Sequence, residues 1–165
     1  MAQGNAGSRT AASGGGVEVE FTRVFDEPRR LVFEVWTDRK HVAQWWGPHG
    51  FTSPRCEWEA RKGGAIHIDM RGPDGRIYPM KGTFDEIVEP ERLVFTSSAL
   101  DEAGHSLFEV ETTVSFAEKA GKTTLTMHAR VVKSTARAMQ YTQGMEMGWT
   151  QSLERLETYV AKAAR

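Results

Sequence analysis

From Phe51 to Val132 apolar and polar residues alternate, and from Met145 onward the apolar residues recur at steps of three and four. Alternation with a period of two puts successive side chains on opposite faces of a strand. Cys56, Trp58 and Ala60 alternate with Glu57, Glu59 and Arg61, and Ile66, Ile68 and Met70 with His67, Asp69 and Arg71. Met80, Gly82 and Phe84 continue the pattern, followed by Leu93 and Phe95, by Phe108 to Phe116, and by Leu125 to Val131. Gly63-Gly64, Gly72-Pro73-Asp74-Gly75, residues 101–104 and Gly121 supply turns, and Pro90 interrupts the pattern once. These runs predict six strands, and Val17–Phe25 predicts a seventh ahead of them.

Two short helices are expected after the first strand. One begins near Pro28 and carries Leu31, Val32, Val35 and Trp36; the other spans Asp38 to Trp46, with Asp38 as its cap and Gly47-Pro48 as its end. Met145, Trp149, Leu153, Leu156 and Val160 predict one long amphipathic C-terminal helix. Gly144 and Gly148 fall within that pattern, and each costs about 1 kcal/mol relative to alanine in a helix interior. Either a strand approaches closely there or space is left open.

Short turns make neighbouring strands antiparallel, and one apolar sheet face needs one apolar helix stripe to cover it. The expected fold is therefore α+β: a seven-stranded curved antiparallel sheet wrapped around the C-terminal helix. A straight helix does not fill a concave sheet completely, so an apolar cavity is expected beside it. Residues 17–163 suit a single domain. Residues 1–16 are small and polar and read as a disordered leader or a cloning remnant outside the fold.

The net charge of −1 and the dispersed Lys and Arg point away from nucleic acid and anionic membranes as partners. No apolar run reaches the ~20 residues that span a bilayer. The lone Cys56 forms no intramolecular disulfide, and a cytoplasmic setting is expected. No metal or cofactor is expected. The five histidines lack an HExxH spacing, and His67 and His128 fall on the polar face. Glu57, Glu59 and Asp69 also fall there, alongside Arg61 and Arg71. No phosphate loop, dinucleotide fingerprint or nucleophile elbow is present. Cys56 shares its strand's apolar phase and is expected to pack rather than react.

The segment WWGPHGF, residues 45–51, places two indoles before a helix break. Adjacent helical residues point about 100° apart, so one indole can enter the core while the other faces a cavity mouth. The expected ligand-binding set is Trp45, Trp46, His49, Phe51, Ile68, Met70, Met80, Phe84, Phe95, Phe108, Met127, Tyr141, Met145 and Trp149. Methionine suits an accommodating apolar site.

WWGPHGFT (45–52), the E-x-R-x-GG segment (59–64), MRGPDG (70–75), PERLVFT (90–96), TTLTMHA (123–129) and GMEMGW (144–149) resemble bacterial relatives of the heat-shock protein 90 ATPase activator's C-terminal domain. That family lies in the helix-grip superfamily with START lipid-transfer domains and birch-pollen-type allergens. The resemblance implies a helix-grip fold with a cavity for hydrophobic ligands. Non-catalytic binding of a small hydrophobic or aromatic molecule, in stress response or detoxification, is the expected function. One alternative is a cyclase or hydrolase acting on an aromatic substrate through His49, Tyr78 or Tyr141. Another is a co-chaperone-like interaction domain. The eukaryotic co-chaperone carries a separate N-terminal domain for which residues 1–16 are too short, so a heat-shock ATPase is not the expected partner. A homodimer is compatible with each reading.

Overall fold

A computed structural model describes residues 7–13, 16–134 and 144–164 of the chain. The elements run β1 (Gly7–Ser13), β2 (Gly16–Phe25), α1 (Arg29–Thr37), α2 (Arg39–Trp45), β3 (Thr52–Trp58) and β4 (Ala65–Arg71). They continue with β5 (Ile77–Val88), β6 (Arg92–Leu100), β7 (Ser106–Lys119), β8 (Lys122–Ser134) and α3 (Met145–Ala163). The helix-grip architecture expected from the sequence is present: one antiparallel sheet, two short helices after its first core strand, and a C-terminal helix against it.

The sheet has eight strands in the order β1-β2-β8-β7-β6-β5-β4-β3, one more than the alternation predicts. The added strand, β1, falls in the segment read as a leader outside the fold. It pairs antiparallel with β2 from Gly7↔Thr22 to Ser13↔Gly16. A backbone ladder needs no apolar alternation, and GSRTAAS has none, so the sequence pattern carries no sign of it.

Local chemistry explains the connections. Asp38 caps α2 by accepting a bond from the Lys40 amide at 2.9 Å. The β7–β8 hairpin turns on Ala120 and Gly121, with φ of 54° and 78°. Two positive φ values in a two-residue loop match the twist of the flanking strands. Gly144 has φ −86° and ψ −4° and forms the N-cap of α3 rather than an interior position. Gly148 alone is the interior glycine.

Cross-strand rows divide the inner face of the sheet. Phe21, Met127, Val114 and Leu93 are partners across β2, β8, β7 and β6. The next row joins Val19, Ala129, Thr112, Phe95 and Phe84. These rows hold much of the core, with Leu153, Leu156 and Val160 of α3 among the residues buried with them. Farther along the strands the rows become small: Gly82 pairs with Ser97, and Met80 with Ala99.

Gly82 marks a close approach of β5 to β6. A Cβ there would lie 2.1 Å from Thr96 O and 2.8 Å from Ser97 Cα. Only glycine lets the main chains meet at that separation.

Candidate functional site

The double tryptophan divides its two indoles between core and site. Trp45 and Trp46 are 0 % and 5 % exposed. Trp45 donates from Nε1 to Val35 O at 3.1 Å and meets Trp36 edge-on at 4.7 Å. Trp46 packs against Trp58 and Trp149, each at 5.2 Å between ring centroids. All five tryptophans of the chain thus belong to one aromatic cluster.

Beside Trp46 lies a hollow of about 490 Å³, within the range of small-molecule sites. Its walls come from the 46–51 loop, from β4 to β7 and from the first half of α3. The hollow has a simple cause: small residues meet small residues across it. The sheet contributes Ser97, Ala99 and Thr112 to the lining, and α3 contributes Gly148 and Ser152, which are four apart and share a helix face. A Cβ at Gly148 would touch only Pro48 Cγ, at 3.9 Å, so the space beyond it is open.

Of the expected ligand-binding residues, Trp46, Phe51, Met70, Met80, Phe108, Met145 and Trp149 line the hollow. Others occupy different places. Trp45 is in the core for the reason given above. Ile68, Phe84, Phe95 and Met127 share the inner face but are at most 2 % exposed, packed in the core and absent from the lining. Alternation identifies the face of a strand and not the position along it where the helix stops filling the space. His49 projects outward, its side chain 55 % exposed, with Nε2 2.8 Å from Glu154 Oε1. Tyr141 lies outside the described residues. Of the three catalytic candidates, Tyr78 lines the hollow and His49 does not.

Leu100 and Leu107 line the hollow although the sequence reading did not select them. Register shifts at Ala99/Leu100 and Glu109/Val110 break the parity there. Consecutive residues, Ala99 with Leu100 and Leu107 with Phe108, can then both reach one space. Ser97, Thr112 and Ser152 were missed because a small polar residue in apolar phase looks like a weak core position. Gly148 did carry a signal, its cost in a helix interior.

Arg155 of α3 explains how the WWGPHGF turn is held. Its Nη1 donates to the carbonyls of Trp46, Gly47 and Pro48 at 3.0, 3.0 and 3.1 Å, and its Nη2 to Gln44 O at 3.0 Å. Gln151 Oε1 accepts the His49 amide at 3.1 Å. Burial lowers the Arg155 pKa from its ordinary value. Replacing Arg155 with Ala is expected to lower stability by about 2–3 kcal/mol, because it strips a charged donor from several carbonyls at once. Lysine should recover little, since an ammonium group cannot reproduce the planar fork. Denaturant titration of the two variants checks both statements; equal stability of wild type and Arg155→Ala would refute the role.

Several charged and titratable side chains find their partners away from the hollow. Arg61 pairs with Glu59 at 3.5 Å, His67 with Asp69 at 3.2 Å, and His128 with Glu18 at 3.3 Å. Arg23, inward-facing on β2, lies 3.6 Å from Glu157 beneath α3. Burial lowers the Arg23 pKa and raises that of Glu157, each opposed by the other's charge. Cys56 packs against the core, and burial raises its thiol to about 11, so little nucleophilic thiolate forms near neutral pH. Glu34, Asp38 and His41 bring ligand-type atoms within 4.8 Å of one another. Asp38 is already engaged as the α2 cap, and His41 Nδ1 lies 2.6 Å from the Tyr159 hydroxyl. Among the described residues no helix is long and apolar enough to cross a membrane.

A sheet gripping a terminal helix, with a hollow left under the first half of that helix, defines a helix-grip domain. The comparisons identify the family. Residues 26–161 match the model for Activator of Hsp90 ATPase homolog 1-like protein, and the chain belongs to that family. A crystal structure from Chromobacterium violaceum is similar at 26% identity, over 87% of this chain and 96% of that one, with a TM-score of 0.76. A solution structure from Arthrobacter aurescens gives 23% identity, 93% and 91% coverage, and a TM-score of 0.80. The AHSA1 protein from Silicibacter pomeroyi gives 22% identity, 88% and 99% coverage, and a TM-score of 0.76. No match is found among curated proteins.

Proposed function

We propose that the chain binds one small hydrophobic or aromatic molecule in the hollow beside Trp46, without transforming it. The observation that carries this reading is the hollow's lining. About 490 Å³ is bounded by Trp46, Phe51, Met70, Met80, Phe108, Met145 and Trp149, and no described lining residue is charged. Apolar surface of this kind gains free energy when a ligand displaces water from it, at roughly 25 cal/mol per Å². Proton transfer inside the hollow would need a titratable group there, and Tyr78 is that group among the described lining residues.

Trp46 and Trp149 report on occupancy, because both line the hollow. Titration with N-phenyl-1-naphthylamine, a neutral hydrophobic fluorophore, should quench tryptophan emission saturably and raise the melting temperature. Unchanged emission and an unchanged melting temperature at saturating probe would refute the reading.

A further inference from the structure

The lining is apolar with one kind of exception. Thr112 and Ser152 are 1 % and 5 % exposed to solvent, and both border the hollow, from β7 and α3 respectively. Neither hydroxyl has a hydrogen-bond partner among the described residues. Other helix hydroxyls behave differently: Thr150 and Thr158 bond back to the Glu146 and Glu154 carbonyls at 2.8 and 3.3 Å. Neither the Thr112 nor the Ser152 oxygen is among the buried side-chain atoms left without a partner, so each can be reached from the hollow, and a ligand that displaces water from these two walls has to replace the hydrogen bonds that water made there.

Ser97 on β6 and Tyr78 on β5 are the other hydroxyl-bearing residues of the lining. Ser97 pairs with Val110 in the register while Phe95 pairs with Thr112, so Ser97 and Thr112 are diagonal neighbours on one sheet face. Hydroxyls both donate and accept, so they suit an alcohol, a ketone or an amide equally. They do not neutralise an ionised group. The nearby cation, Arg155, already directs its guanidinium at the carbonyls of Gln44, Trp46, Gly47 and Pro48.

Resting on the binding reading above, we infer that the ligand is a neutral molecule: an apolar or aromatic body carrying a hydroxyl or carbonyl group that bonds to Thr112 and Ser152, not a carboxylate. An anion drawn into this lining would lose its hydration without gaining a counter-charge.

Three probes with one aromatic body separate the possibilities: 1-pyrenebutanol, 1-butylpyrene and 1-pyrenebutyrate, followed by energy transfer from tryptophan at pH 8. The alcohol should bind at least about tenfold more tightly than the carboxylate. Thr112→Val and Ser152→Ala should each weaken the alcohol about threefold to tenfold, and leave butylpyrene unchanged or tighter. Valine keeps the shape and β propensity of threonine, and melting curves verify that both variants fold. If no probe binds, the binding reading fails and this inference with it. If all three bind but the carboxylate matches the alcohol, or both variants leave the alcohol's affinity unchanged, the inference fails and the binding reading stands.

Discussion

Gly82→Ala is expected to cost about 3 kcal/mol or more of folding stability and to lower the melting temperature by roughly 6–12 °C. The added methyl has nowhere to go. Its carbon would lie 2.1 Å from Thr96 O and 2.8 Å from Ser97 Cα, and both atoms belong to the main chain of β6. A flexible side chain could swing aside, whereas a strand in the middle of an eight-stranded sheet cannot move without disturbing its other ladder. The displacement would be passed to Ser97 and its partner Val110, both of which line the hollow. Gly75→Ala is the matched comparison. Gly75 has φ +85° but nothing within 4 Å of its missing Cβ, so it should lose only about 1 kcal/mol for the left-handed backbone. Thermal melts of the two variants test the contrast, and a Gly82→Ala protein melting within 2 °C of Gly75→Ala would overturn the close-approach account.

The architecture was legible because it rests on periodicity. Phe108 to Phe116 and Leu125 to Val131 must face one way if they alternate in a strand, and Met145 to Val160 must form one stripe if they are helical. Motifs such as WWGPHGFT and PERLVFT added the family, which the match over residues 26–161 supports. The site was legible only in part, for three physical reasons. Ile68 and Met80 are register partners on the same face, yet Ile68 is fully buried and only Met80 lines the hollow; parity assigns the face and is silent on depth. Bulges brought in Leu100 and Leu107, and a bulge has no compositional mark here. Strand β1 was invisible because its ladder runs through the backbone, without an apolar pattern in GSRTAAS. For His49, proximity in sequence to the double tryptophan does not set direction: past the turn at Gly47, with φ +100°, its ring meets Glu154.

A ladder of substitutions at Gly148 should abolish ligand binding while leaving the fold intact. Gly148 occupies a helix interior, faces the hollow and has only Pro48 Cγ near its missing Cβ. Alanine there should stabilise the protein by up to about 1 kcal/mol, since helix propensity improves and nothing clashes. Leucine keeps most of that gain but sends its branched end into the hollow, where a ligand would otherwise lie. Affinity for N-phenyl-1-naphthylamine should fall at least about tenfold with leucine, the scale on which overpacking a filled site is penalised. Tryptophan should remove measurable binding, because its indole takes up a large share of about 490 Å³. Stability and binding thus move in opposite directions along Ala and Leu, which general unfolding cannot imitate. Were the leucine and tryptophan variants to bind the probe as tightly as the wild type, the probe would be sitting elsewhere, and the hollow under the first half of α3 would not be the binding site.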